Sequence, residues 1–287
     1  MNHGDPLGNR PRQGRAATTL ESVEEIRARI LGGRPPATRR EGPPDPPRIP
    51  EPPGDDTRPF RPSIRPPIAL LRVLDDGDQE GQDLRIRSSP FVIGRSEGDL
   101  LIPHDPGISG RHVELSRAFE DGAHRWLLRD LQSTNGTFVR VSHSQLRDDQ
   151  ELLIGGIRLR FSTAVPGAST ASTAADRPGA TRKWDAPGRP PASVAAMVVL
   201  TPGGDGPRLP ISGDEAWIGR DPSACSVVLD DPMVSPRHAR VARDARGRWT
   251  IHNERSLNGL WLRIREIDLI RGGQFQCGEQ RFLVRIP

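Results

Sequence analysis

The chain has 287 residues, a formal net charge of +4, 34% apolar and only 4% aromatic residues, and 30 glycines beside 30 prolines. That length suffices for two ordinary domains with cores of their own, yet so much glycine and proline means that part of the chain is not core. No folded-looking segment carries the strong one-sided charge of a DNA-binding module, and no apolar run is long enough to span a bilayer.

In chain order, "MNHGDPLGNRPRQGR" lacks the apolar core of a secretion signal, so a cytoplasmic location is the expectation. Residues 1–65 are rich in proline and arginine and predict an extended, largely disordered arm. Inside it, "TTLESVEEIRARILGG" sets Ser22 and Glu25 at capping-box spacing, with Val23, Ile26 and Ile30 on one face and Gly32-Gly33 as a stop. The spacing predicts a short amphipathic helix near 22–31, too short to be stable alone, which either docks or stays transient.

From Ile68 the texture changes to short runs broken by turn residues: "IALLRVL", "LRIR", "FVIG", "HVEL", "RWLLRDL", "TFVRV", "ELLIGG" and "IRLRF". These predict an all-β sandwich over residues 66–163 rather than β-α-β units. A polar Ala/Ser/Thr/Pro/Gly stretch over 164–193 reads as a flexible linker, and strand texture resumes over 194–287 with "AAMVVL", "AWIG", "HARVAR" and "LWLRI". Cys225 and Cys277 lack the partners of a disulfide framework or a zinc site, so both read as ordinary thiols, with no metal and no cofactor expected.

The second block repeats the first. Gly94-Arg95 recurs as Gly219-Arg220, "SGRH" at 109–112 as "SPRH" at 235–238, and "RWLLRDLQSTNG" as "RWTIHNERSLNG". A repeat this long means two domains of one fold, not a solenoid. Loops at one end of a β-sandwich converge, and a guanidinium, hydroxyls and a carboxamide brought to one rim suit an oxyanion on an extended peptide. Each element alone is commonplace, since an Asn-Gly is usually just a hairpin turn; joint recurrence in order is what carries weight.

Both blocks resemble forkhead-associated (FHA) domains, readers of phosphothreonine peptides, through "FVIGRSEGDLLI", "ISGRHVEL" and "DLQSTNGTFV" and their counterparts "WIGRDPSACSVVL", "VSPRHARV" and "ERSLNGLWL". The resemblance implies an all-β chain of two such sandwiches. In the first, Arg95 and Ser109 would bind phosphate, with Gly110 and Arg111 on the same loop, Thr134 adding a hydroxyl and Asn135 holding the peptide main chain. Gly94, His112 and Gly136 would shape the site. In the second, Arg220, Ser235, Arg237 and Asn258 take these places, supported by Gly219, His238 and Gly259. There Leu257 stands for the Thr134 hydroxyl and Pro236 for Gly110, which implies a weaker reader.

The implied role is a non-catalytic signalling adaptor for partners phosphorylated by a Ser/Thr kinase. The alternative is a phosphate-independent scaffold of the same fold. No Walker loop, HExxH or G-x-S-x-G motif supports an enzyme, and neither a nucleic-acid partner nor membrane insertion is expected. Thr18 and Thr19 are candidate phosphosites whose phosphates would engage Arg95 within the same chain.

Overall fold

The computed structural model describes residues 18–22, 25, 68–74, 81–120, 122–163 and 195–286. The arm contributes β1 (Thr18–Leu20). The first repeat contributes β2 (Ala69–Leu74), β3 (Gly81–Ile86), β4 (Phe91–Gly94), β5 (Leu100–Leu101), β6 (Val113–Glu120), β7 (Ala123–Asp130), β8 (Thr137–Leu146), β9 (Glu151–Ile154) and β10 (Ile157–Ser162). The second contributes β11 (Ala196–Thr201), β12 (Gly204–Pro210), β13 (Glu215–Gly219), β14 (Val227–Val228), β15 (Ala239–Arg243), β16 (Trp249–Asn253), β17 (Leu260–Ile264), β18 (Glu266–Leu269), β19 (Gly272–Cys277) and β20 (Gln280–Arg285). Alternation sets the inward faces: Val113 and Leu115 of β6 and Trp126 and Leu128 of β7 are buried, while Glu114, Ser116, Leu127 and Arg129 are half-buried or exposed. Among the described residues no helix is long and apolar enough to cross a membrane.

Two β-sandwiches are present, but they do not follow the two repeats. In the first, β18-β7-β6-β4-β5 forms one sheet. The facing sheet runs β3-β2-β20-β19 and onto the first half of β8. Three of these strands, β18, β19 and β20, belong to the second repeat. In return, β9, β10 and the second half of β8 complete the second sandwich: β10 pairs β11, β9 pairs β17, and β8 residues 143–146 pair β16. Phe161 of β10 meets Trp249 of β16 edge-on, with ring centroids 5.9 Å apart.

The physical reason lies in the segments after each Asn-Gly. "TFVRVSHSQL" holds no Gly, Pro, Asn or Asp, so nothing lets β8 fold back on itself, and it runs ten residues from one sandwich into the other. Likewise only Arg265 separates β17 from β18. The two long segments pair antiparallel, with Val139 opposite Leu262, its equivalent, so the repeats meet about a local twofold relation. A domain boundary at 163/194 therefore does not separate the folded units; the sandwiches are built by exchange. The 164–193 linker lies outside the described residues.

The arm also departs from expectation. Thr18–Leu20 is a strand docked antiparallel on β8, because β8 offers a free edge where it passes beyond β19. The Ser22–Glu25 capping box is formed, with Glu25 N–H donating to Ser22 Oγ at 3.2 Å and Ser22 N–H to Glu25 Oε2 at 2.8 Å. The rest of the expected helix lies outside the described residues.

Candidate functional site

Three turns at one end of the first sandwich carry the expected residues and are tied to one another. The Arg95 N–H donates to the Ser109 carbonyl at 2.9 Å and the Glu97 N–H to the Gly110 carbonyl at 3.0 Å. Gly94 makes this approach possible, since a Cβ there would lie 2.0 Å from the Gly110 oxygen. Ser109 Oγ accepts the Thr134 N–H at 3.0 Å, joining the second turn to the third. Asn135 Nδ2 donates to the Gly107 carbonyl at 2.9 Å.

His112 is fully buried beneath the rim. Its Nδ1 accepts the Ser109 N–H at 3.0 Å, so the proton sits on Nε2, which donates to the Gly136 carbonyl at 3.2 Å. Burial holds this imidazole below the ordinary histidine range. Both ring nitrogens serve the backbone, which makes Ser109 and His112 a structural tie rather than a nucleophile and its base.

Sequence reasoning passed over the carboxylates that hold these turns. Asp130 accepts the Ser133 hydroxyl at 2.6 Å, the Ser133 N–H at 2.9 Å and the Thr137 hydroxyl at 2.7 Å. Asp105 accepts the Gly107 N–H at 2.7 Å and, from the other repeat, the Glu279 N–H at 2.7 Å. Asp231 does the same on the second sandwich, taking the Met233 N–H and the Gly156 N–H, each at 2.7 Å. Each serine loop is thus stapled to a hairpin of the opposite repeat. The recurrence of Asp-Pro at 105–106 and 231–232 was the available signal.

The exchange also reaches under the Asn-Gly turns. Gly136 has a φ of 82°, and a Cβ on it would lie 2.3 Å from Arg263 Nε; Gly259 has a φ of 79°, with Arg140 Nε at 2.5 Å. A cleft of about 260 Å³ beside the first rim draws Gly107, Asn135, Phe138 and Arg158 from one repeat and Gln276 and Glu279 from the other.

The second rim repeats the frame. Arg220 N–H donates to the Ser235 carbonyl at 3.2 Å, Leu257 N–H to Ser235 Oγ at 3.2 Å, and Asn258 Nδ2 to the Met233 carbonyl at 2.7 Å. His238 again bridges the Ser235 N–H at 3.2 Å and the Gly259 carbonyl at 2.9 Å, and burial lowers its pKa too. The sequence profile of the FHA domain matches residues 91–155 and, separately, 216–276. The chain carries two FHA segments.

Similarity to individual proteins is more local. FHA domain-containing protein FhaB of Mycolicibacterium smegmatis is 32% identical over 72 residues, covering 25% of this chain and 44% of that protein. Its Mycobacterium tuberculosis counterpart is 28% identical over 103 residues, covering 36% and 58%. The chain thus spans about half the length of these relatives. Among solved structures, full-length yeast Pml1p shares 20% identity at a TM-score of 0.24, covering 30% of this chain and 69% of that one. Mycobacterium tuberculosis EmbR in complex with a low affinity phosphopeptide shares 18% at 0.21, covering 36% and 26%.

Within their common frame the two FHA rims present different surfaces. At the first, Arg95, Arg111 and Thr134 are exposed, and among the described residues neither guanidinium is engaged by a carboxylate. At the second, Arg237 lies over the Trp217 ring at 4.9 Å. Asp221 stands beside Arg220 where the first rim has Ser96, and the Ser223 hydroxyl, more than any arginine, holds its carboxyl below the usual range. Leu257 is 68% exposed and Met233 50%.

Thr18 and Thr19 are not at the first rim, where Arg95 stands. Thr18 Oγ1 shares a hydrogen bond with Ser144 Oγ at 2.9 Å and Thr19 Oγ1 with His143 Nε2 at 3.1 Å. By strand geometry this is about 25 Å along β8 from Gly136. Both cysteines are buried, and burial pushes both thiols up in pKa.

Proposed function

We propose that this protein is a phosphothreonine-peptide adaptor, with its first FHA rim as the principal reader of partners marked by a Ser/Thr kinase. The convergence of Arg95, Ser109 and Thr134 above the Asn135 turn carries this reading, because free guanidinium and hydroxyl donors on a pre-tied backbone suit a phosphate dianion. No catalytic role is assigned.

The two Asn-Gly turns open at opposite ends of the paired β8 and β17, separated by about 20 Å of strand. Two rims facing apart in one interlocked body favour bridging two phosphorylated molecules over reading two neighbouring marks on one peptide. Exposed Leu257 and Met233 favour a second reading for the other rim alone, as a contact that tolerates an unphosphorylated partner.

Calorimetric titration of the full chain with a phosphothreonine peptide library, beside its unphosphorylated twin, tests the assignment. Arg95→Ala is expected to weaken phosphate-dependent binding roughly 100-fold, since Arg95 supplies more than one charge-assisted hydrogen bond at about 1.5–3 kcal/mol each. Binding that survives both Arg95→Ala and phosphatase treatment would establish the scaffold instead.

A further inference from the structure

The arginines beneath the two Asn-Gly turns are equivalent in sequence but are neutralised from different places. Under the first turn, Arg263 donates to Glu151 Oε1 at 2.5 Å, and its own carbonyl accepts Gln150 Nε2 at 2.9 Å. Both partners come from the start of β9, Gln150 just before it and Glu151 as its first residue. At the matching positions of β19 the second repeat has Gly273 and Gln274, which lack the amide and the carboxylate.

The arm supplies what is missing. Arg140 Nε donates to Glu21 Oε2 at 2.5 Å, and the Arg140 carbonyl accepts the Glu21 N–H at 3.2 Å. Glu21 and Arg140 are both fully buried. Gly273 is the space that admits the arm, since a Cβ there would lie 3.3 Å from the Leu20 side chain. The remaining nitrogens of Arg140 reach Gln274 Oε1 at 3.0 Å and the Leu257 carbonyl at 3.4 Å, so the ion pair touches the second rim directly.

We propose that Thr18–Glu21 is an intrachain positioning strand for the second rim, with Glu21 as its positioning residue and the slot formed by Gly273, Gln274, Arg140 and Ser144 as its binding site. A buried guanidinium needs a counter-ion, and it cannot shed its charge as a lysine can. With the arm docked, Arg140 stays beneath Gly259 and fixes the Leu257–Gly259 turn; with the arm displaced, that turn loosens. The first rim carries its own carboxylate and is indifferent to the arm. This inference rests on reading the second rim as a peptide site.

The test compares the full chain with Glu21→Gln and with the double variant Glu21→Gln/Gln274→Glu, which recreates the arrangement of the first repeat. Amide hydrogen exchange at 257–259 is expected to accelerate about 10-fold or more in Glu21→Gln, with 134–136 unchanged, and to return toward the original rate in the double variant. In an Arg95→Ala background, affinity for a phosphothreonine peptide is expected to follow the same order. Equal acceleration at both turns, acceleration at neither, or no recovery in the double variant would overturn the proposal. If Glu21→Gln does not fold, a folded double variant with a protected 257–259 turn supports the assignment and an unfolded one refutes it. Should the Arg95→Ala chain bind no phosphopeptide, the peptide reading of the second rim fails, while exchange still decides the role of the arm.

Discussion

At the first rim Asn135 lies between Gly107 and Thr134; at the second, Asn258 lies between Met233 and Leu257. Beneath them the ties match: the turn amide reaches the serine hydroxyl at 3.0 Å in one and 3.2 Å in the other, and a buried histidine spans the same two backbone groups in both. The backbone frame and the ligand chemistry are thus separable. The frame depends on buried hydrogen bonds that tolerate little change, whereas the exposed residues above it are free to diverge.

Separating the repeats would break this comparison most completely. Residues 66–163 produced alone lack β18, β19 and β20, and no folded monomer is expected, with cooperative melting appearing only on mixing with residues 194–287. A 66–163 fragment that melts cooperatively as a monomer would show that the exchange is dispensable.

Exchanging the exposed residues would sharpen the comparison. Thr134→Leu is expected to weaken phosphopeptide binding at the first rim about 10-fold, and Leu257→Thr to strengthen it at the second by a similar factor, the worth of one hydrogen bond to a charged group. Calorimetry on each variant, with the other rim silenced at Arg95 or Arg220, reads the two effects separately. A Leu257→Thr change without gain would shift attention to Asp221.

The smallest effect concerns acid. His112 and His238 are kept neutral in the folded chain, so their contribution is complete above about pH 6.5, the unfolded value, and is lost as pH falls below it toward their depressed folded values. Melting temperature is expected to drop by a few degrees between pH 7.5 and 5, and His238→Gln should flatten that slope. A pH-independent melting temperature would mean that neither histidine is linked to folding.

The rims were largely legible in the sequence because turn chemistry is local: Gly94, Ser109, His112 and the Asn-Gly pairs announce themselves by type and spacing. The pairing of strands was not legible. "HSQL" and "EIDL" occupy equivalent positions in the two repeats, so period-2 patterning fits each to either sandwich. What distinguished them was negative, the lack of any Gly, Pro, Asn or Asp between Thr137 and Leu146. Thr18–Leu20 escaped for another reason: three residues are too few to show a period, and Glu21 owes its burial to an arginine more than a hundred residues away.

The strand exchange also sets an order of events during synthesis. When the first repeat leaves the ribosome, β8 and β2 have edges with no strand to cover them, and their partners, β19 and β20, follow more than a hundred residues later. At a synthesis rate of about 5–20 residues per second that wait is roughly ten seconds, during which the nascent sandwich is open to mispairing. A chain terminated after β17 would accordingly lose its first rim, the one farthest from the break in sequence, and keep the strands of its second.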